Sequence, residues 1–352
     1  MVTVAAAKSR LDLLITKARV DLYKPIQIAE VLHKSRTSKD INTSDINTFK
    51  NPSIHWRDTI TMRLANKRST SSANYQHDIW SDTAMPVHIL EILDEENKRT
   101  NGAVERYIYI KYAERQDTVA AMITLLSSTT PESFYLETLL EKFVQNQGIR
   151  RSIDKAYEIV SYALFETIVT ELKATVEVSI PESHLELLNE FKDIARVILG
   201  LDNTTSWKRD AHIYRVGVTN AADRGLDMWA NFGPALQVKH MTLDSNLAVQ
   251  VVDQVESDSV VIICKDADLE VIRVITSQIG WGRRIQGYVT EGDLIKWYER
   301  CLRGRYSSTL GQPLLTRLSK EFSKEFPQIS AVLPFLHERG YSTPNNLDMW
   351  NV

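Results

Sequence analysis

The sequence predicts an α/β fold whose first half is mainly helical, and three observations carry that reading. Residues 9–171 place their apolar side chains mostly at three- and four-residue spacing, the mark of amphipathic helices. From residue 210 onward, short apolar runs of strand character alternate with helical segments. Within that second half, SVVIICK (259–265) is an unbroken apolar run, as expected of a central strand covered on both faces. The chain of 352 residues is long enough for two ordinary domains, and a boundary is placed near residue 150.

Along the chain, residues 9–35 show helical spacing that Pro25 is expected to break. SRTSKDINTSDINTFKNPS reads as a loop. Beyond it Trp56, Ile60 and Leu64 make an apolar line, with Arg57, Arg63, Lys67 and Arg68 at the remaining positions, so a basic amphipathic helix runs into a Ser-rich turn. Residues 85–147 are mostly helical in pattern. SIDKAYEIVSYALFETIVTEL is apolar around much of its circumference and is expected to be buried. TVEVSI (175–180) is a short strand, followed by one helix over ESHLELLNEFKDIARVIL. HIYRVGV is a strand, DSNLAVQVVDQVES a helix with Asp244 as its N-cap, and LEVIRVITSQIG, RIQGYVT and TEGDLIKWYERCLRGRY follow as helix, strand and helix. Thr290 and Asp293 open the last of these as a capping box. The final 45 residues are less patterned.

The bulk numbers exclude several classes of protein. With 43% hydrophobic and 25% charged residues, the composition is that of a soluble globular chain. No apolar run approaches the roughly 20 residues of a membrane span. Lys8, Arg10, Asp12 and Lys17 interrupt the N-terminus before a signal-peptide core can form. Cys264 and Cys301 have no CxxC spacing, which points to a reducing cytoplasm rather than a disulfide framework or a zinc site. HExxH, Walker A and GxSxG patterns are absent. A net charge of −3 leaves a polyanion partner open, because local basic patches bind DNA whatever the total.

The chemistry concentrates in ADRGLDMWANFGPALQVKH (222–240). If residues 235–241 form a strand, Gln237 and Lys239 share one face and Leu236, Val238 and His240 the other. The turn Asn231-Phe232-Gly233-Pro234 then folds this strand back and brings Asp227 beside Gln237 and Lys239. A carboxylate, an amide oxygen and a backbone carbonyl, that of Val238, are hard oxygen ligands of the kind Mg²⁺ prefers. Such an ion neutralises charge on phosphate oxygens and lowers the pKa of water, while a neighbouring lysine positions that water. Asp227 alone would equally serve as a turn acid, and Gln237 and Lys239 as solvated strand residues.

Asp227, the nine-residue spacer and Gln237-Val238-Lys239 resemble the PD-(D/E)xK nuclease superfamily in its Gln-x-Lys variant. The order of helix, motif hairpin, helix and buried strand fits that core too. The departure is Gln237, which stands where an acid is commoner; a neutral amide is a poorer Mg²⁺ ligand, so a further carboxylate is expected, from Glu158 or from Asp223. Over most of the chain, AKSRLDLLITKARVDLYKPIQIAEVLHKSR, STSSANYQHDIW and RRSIDKAYEIVSYALFE resemble the HaeII family of type II restriction endonucleases.

That resemblance implies a restriction-endonuclease-like core, a mixed sheet flanked by helices, in residues 151–352 with a C-terminal extension, and DNA recognition and dimer contacts in residues 1–150. It further implies Mg²⁺-dependent cleavage of double-stranded DNA at a short palindrome, purine-GCGC-pyrimidine being the implied site. A homodimer in a bacterial cytoplasm follows, without a membrane, together with a methyltransferase that modifies the same site without implied physical contact. Arg57, Arg63, Lys67, Arg68, Ser69 and Asn74 are the first choice for DNA contacts, against an ordinary solvated helix face. Arg150 with Arg151, and Arg283 with Arg284, are alternative phosphate contacts. Two other functions fit the same core: a structure-specific repair or recombination nuclease, and a DNA-binding protein without catalysis.

Overall fold

The computed structural model describes residues 2–38, 40–69, 78–201, 204–216, 226–239, 257–278, 284–327 and 331–341. The helices of the first half are α1 (Val4–Lys17), α2 (Tyr23–Thr37), α3 (Pro52–Ala65), α4 (Val87–Arg99), α5 (Ala103–Ser128) and α6 (Leu136–Gln145). They are followed by α7 (Ile153–Glu171), β1 (Thr175–Ser179), α8 (Leu185–Glu190), α9 (Lys192–Leu199) and β2 (Ser206–Asp210). The remaining elements are β3 (Ile213–Arg215), β4 (Met228–Ala230), β5 (Ala235–Lys239), β6 (Val260–Cys264), α10 (Leu269–Gln278), β7 (Ile285–Thr290), α11 (Glu291–Arg303), α12 (Ser307–Glu325) and α13 (Val332–Glu338). Among the described residues, no helix is long and apolar enough to cross a membrane.

β3 to β7 form one mixed sheet in chain order. The β3–β4–β5 pairings are antiparallel and the β5–β6–β7 pairings parallel, so β6 is an interior strand, as its apolar run requires. One sheet face carries Met228, Leu236, Ile263 and Val289 against the buried helix α7, with α11 and α12 completing that core. The other carries Ala235, Val260, Ile262 and Cys264 against Ile272 of α10. The capping box forms: the Thr290 hydroxyl accepts from the Asp293 amide at 3.2 Å and the Asp293 carboxylate accepts from the Thr290 amide at 3.1 Å. The helix expected over DSNLAVQVVDQVES lies outside the described residues.

Several expectations are corrected. The break near Pro25 falls earlier, at residues 18–22, where Leu22 takes a left-handed conformation; Pro25 sits in the first turn of α2, where its missing N–H costs no helical bond. The helix over 182–199 is two, α8 and α9, divided at Phe191. TVEVSI is a strand, yet it pairs with the unanticipated β2 in a separate two-stranded sheet. The less patterned C-terminal stretch holds α12 and α13 among its described residues. Leu314, Leu315, Leu318 and Phe322 of α12 enter the main core. Gly311 lets α12 approach the loop at Pro131, since an added Cβ there would lie 3.1 Å from the proline Cβ.

A second core joins α1 to the first half of α5, including Leu11, Ile28, Leu90 and Ile108, and it is completed by Val332, Phe335, Leu336 and Tyr341. A buried polar junction fixes the helices around it. Glu105 of α5 accepts hydrogen bonds from Asn97 of α4 at 2.6 Å, from Arg36 of α2 at 2.9 and 3.1 Å, and from the Tyr341 hydroxyl. His33 Nδ1 also lies 3.0 Å from its carboxylate. Burial alone would raise the Glu105 pKa, but these bonds outweigh it and hold the group at about 2, against 4.5 unperturbed.

A depressed folded pKa contributes stability above pH 4.5 that is lost as pH falls toward 2. Glu105→Gln is therefore expected to cost about 3 kcal/mol at pH 7, and the difference from wild type should shrink as the pH is lowered through that window. Urea unfolding at pH 7 and pH 3 measures both; equal midpoints at pH 7 would contradict the assignment.

Candidate active site

The turn at residues 231–234 folds β4 against β5, with Met228 facing Leu236 and Trp229 facing Ala235. One step further in that register, Asp227 lies opposite Gln237. The Val216 amide donates to the Asp227 carbonyl at 2.9 Å, so Asp227 is also tied to the β3 side. Its carboxylate crosses the hairpin: Oδ2 accepts from the Val238 backbone N–H at 2.8 Å. The Asp227 carboxylate and the Val238 backbone thus meet across the hairpin, and Gln237 beside Val238 is only 1% exposed. Lys239 ends β5, in register with Cys264 of β6; its side chain lies outside the described part of the molecule. Asp223 also lies outside the described residues.

Glu158 comes from α7, which packs on the sheet face opposite α10. Its pKa is raised, first by burial and further by the negative charge of Asp227, against the opposing pull of Lys155 and Arg215. Two of the expected acids therefore feel each other electrostatically. Glu158 is nevertheless already neutralised. One oxygen accepts from Arg215 Nη1 at 3.1 Å and the other from Lys155.

Arg215 is the residue that sequence reasoning missed. Besides Glu158 it meets Glu325 at 2.7 Å and Glu321 at 3.4 Å, both on α12. All four side chains are at most 7% exposed. Burial pulls the Arg215 pKa down, but the carboxylates outweigh it and raise it. The signal available in the sequence was an arginine inside the apolar strand HIYRVGV, a charge that a buried strand can hold only with partners.

Among the described residues, no three His, Cys, Asp or Glu side chains are placed to hold a metal ion together. The oxygen-bearing groups at this hairpin are Asp227, bound to the Val238 amide, and Gln237, which lies across from Asp227 in the register. Their type fits a hard cation such as Mg²⁺, and their location fits the hairpin that the hydrogen bond to Val238 closes.

The expected DNA contacts are redistributed. Arg57 is corrected out of the surface set: it is 1% exposed, and its guanidinium donates to Asp58 at 2.6 and 2.9 Å and to Gln27 at 3.0 Å. Arg63 pairs with Glu338 of α13, and Lys67 donates to the Glu325 carbonyl, so both are engaged within the chain. Arg68 is exposed and Ser69 half-buried, while Asn74 lies outside the described residues. Arg150 and Arg151 are exposed on the turn that leads into α7. Arg284 donates to the Ser257 carbonyl at 2.7 Å, and Arg283 lies outside the described residues.

Comparison with known proteins gives a consistent result. The profile of the HaeII restriction endonuclease family matches residues 7–341. The chain is 47% identical over 342 residues to the type II restriction enzyme HaeII of Haemophilus aegyptius, an overlap of 96% of this chain and 97% of that enzyme. It is 44% identical over 338 residues to the type II restriction enzyme NgoBI of Neisseria gonorrhoeae, covering 95% of this chain and 96% of that enzyme. No solved structure matches the chain.

Proposed function

The chain belongs to the HaeII restriction endonuclease family, and from that premise we propose that this type II restriction endonuclease cleaves both strands of DNA at a short palindrome in a Mg²⁺-dependent reaction. The target proposed is purine-GCGC-pyrimidine. The observation that carries the catalytic assignment is the hairpin itself, where the Asp227 carboxylate is bound to the Val238 amide and sits across from Gln237.

Asp227, the Gln237 amide and the Val238 carbonyl would hold the ion, with Asp223 or Glu158 completing the set. When bound, Mg²⁺ supplies charge neutralisation at the scissile phosphate and a water of lowered pKa. Lys239, next but one to Gln237 on the same strand, orients the attacking water. Arg215 keeps Glu158 fixed on α7 beside this hairpin.

Cutting both strands of a palindrome calls for two such sites related by a two-fold axis, which a homodimer supplies. Arg68, Ser69 and Asn74 remain proposed contacts from the helical region of residues 1–150, and Arg63 and Lys67 would have to exchange their present partners to join them. Arg150 and Arg151 sit closest in sequence to the core of residues 151–352 and are proposed to hold the backbone, where guanidinium groups bind phosphate well. A matching methyltransferase in the bacterial cytoplasm would protect the host's copies of the site.

Incubation of the protein with a long duplex of known sequence, with Mg²⁺ or with EDTA, tests the reading. Discrete Mg²⁺-dependent fragments with one shared end sequence are expected. Lys239→Ala should remove cleavage while leaving site-specific binding in a gel-shift assay. A duplex left intact by folded wild-type protein, or a Lys239→Ala variant that cuts normally, would overturn the corresponding assignment.

A further inference from the structure

β3 and β4 set a row of rings beside the candidate active site. Tyr214 and Trp229 are partners across the two strands, and their rings stack with centroids 4.5 Å apart and planes 24° apart. His212 extends the row beyond Tyr214, with 6.0 Å between ring centroids. Tyr214 is 41% exposed and Trp229 is 44% exposed, and neither belongs to the apolar clusters that build the two cores or cover the sheet's second face. A cross-strand pair stabilises a sheet by the contact between its rings, which leaves no reason for both to stay open to water. Aromatic area gathered and exposed at one place marks a contact surface.

The register identifies what this surface adjoins. Trp229 is in register with Ala235, which lies on the sheet face that α10 covers, so Trp229 and its partner Tyr214 stand on that face too. Alternation along β4 and β5 assigns Asp227 and Gln237 to the same face. Trp229 is two residues from Asp227, about 7 Å of strand, which matches the axial rise of about two base pairs. Lys239 stands two residues beyond Gln237 in the opposite direction. We infer that Tyr214 and Trp229 bind the substrate DNA strand next to the scissile phosphate, packing against its deoxyribose rings. A strand whose scissile phosphate lies at the hairpin then meets Lys239 on one side and the two rings on the other. The chemistry suits that occupant, because uncharged aromatic faces hold sugars and nucleotides without telling one base from another. The inference rests on the reading of the hairpin as the place of cleavage.

Acrylamide quenching of tryptophan fluorescence in the full chain, free and on a duplex carrying the target with Ca²⁺ in place of Mg²⁺, is the test. The difference between wild type and Trp229→Phe isolates this one ring. Its emission should be open to acrylamide in the free protein and protected on the duplex. In gel-shift titrations Trp229→Ala and Tyr214→Ala should each weaken binding about tenfold, and Trp229→Phe should keep most of the wild-type affinity. The dependence of log Kd on log salt should stay at its wild-type slope, because no phosphate contact is removed. A Trp229 as open to acrylamide on the duplex as off it, in a protein that binds and cuts, would overturn the surface and leave the cleavage reading standing. A wild type that neither binds nor cuts the duplex would overturn both.

Discussion

Asp227→Ala is expected to lower cleavage by about 10³-fold or more while leaving specific DNA binding near wild type. The separation follows from what the side chain touches. Its carboxylate lies inside the hairpin, bound to the Val238 amide, and it belongs to the proposed cation site rather than to any base contact. Asp227→Asn is the stricter variant, because an amide oxygen still accepts from Val238 while the charge is gone. If Asp227→Asn cuts at a near-normal rate, the carboxylate is a turn acid and not a metal ligand. If binding is lost along with cleavage, the hairpin has been disturbed and the loss says nothing about chemistry. Single-turnover cleavage and gel-shift titration on the same preparation distinguish these results.

Arg215→Met is expected to cost about 3–5 kcal/mol of folding stability at pH 7, the usual penalty for stranding buried charge. Methionine fills much of the same volume but leaves Glu158, Glu321 and Glu325 without their shared cation. The cost should diminish as the pH is lowered until the stranded carboxyls protonate, because a neutral acid needs no counter-charge. Combining Arg215→Met with Glu321→Gln and Glu325→Gln should recover much of the loss. Urea midpoints measured between pH 4 and pH 7 would show the trend, and an unchanged midpoint at pH 7 would dismiss the cluster as a source of stability.

What the sequence made legible was local chemistry. SVVIICK had to hold an interior strand because the five residues between its serine and its lysine are all apolar. Thr290 and Asp293 had to cap a helix because their side chains reach the free amides of its first turn. Asp227 and Gln237 were brought together by a turn that Gly233 and Pro234 announce.

What remained hidden depended on contacts distant in sequence. α12 holds Gly311 and Pro313 within it, and its place in the main core rests on packing against Pro131 and α7, far away in sequence. Arg57 looked like a surface cation because its helix is studded with them, whereas its guanidinium is held by the neighbouring Asp58 and by Gln27, thirty residues earlier in the chain. Arg215 could be flagged as anomalous, but its partners on α12 lie more than a hundred residues away.

The closing of the second core by Val332, Phe335, Leu336 and Tyr341 has a consequence for how the protein is made. Helices α1 to α5 emerge from the ribosome early, yet their core lacks its last wall, and Glu105 its phenol partner, until residue 341 has been synthesised. Contacts of such long sequence separation form late in folding. Until residues 332–341 have been made, the core of α1 to α5 therefore stays open on one side. A chain that terminates before residue 332 is left without a finished helical core.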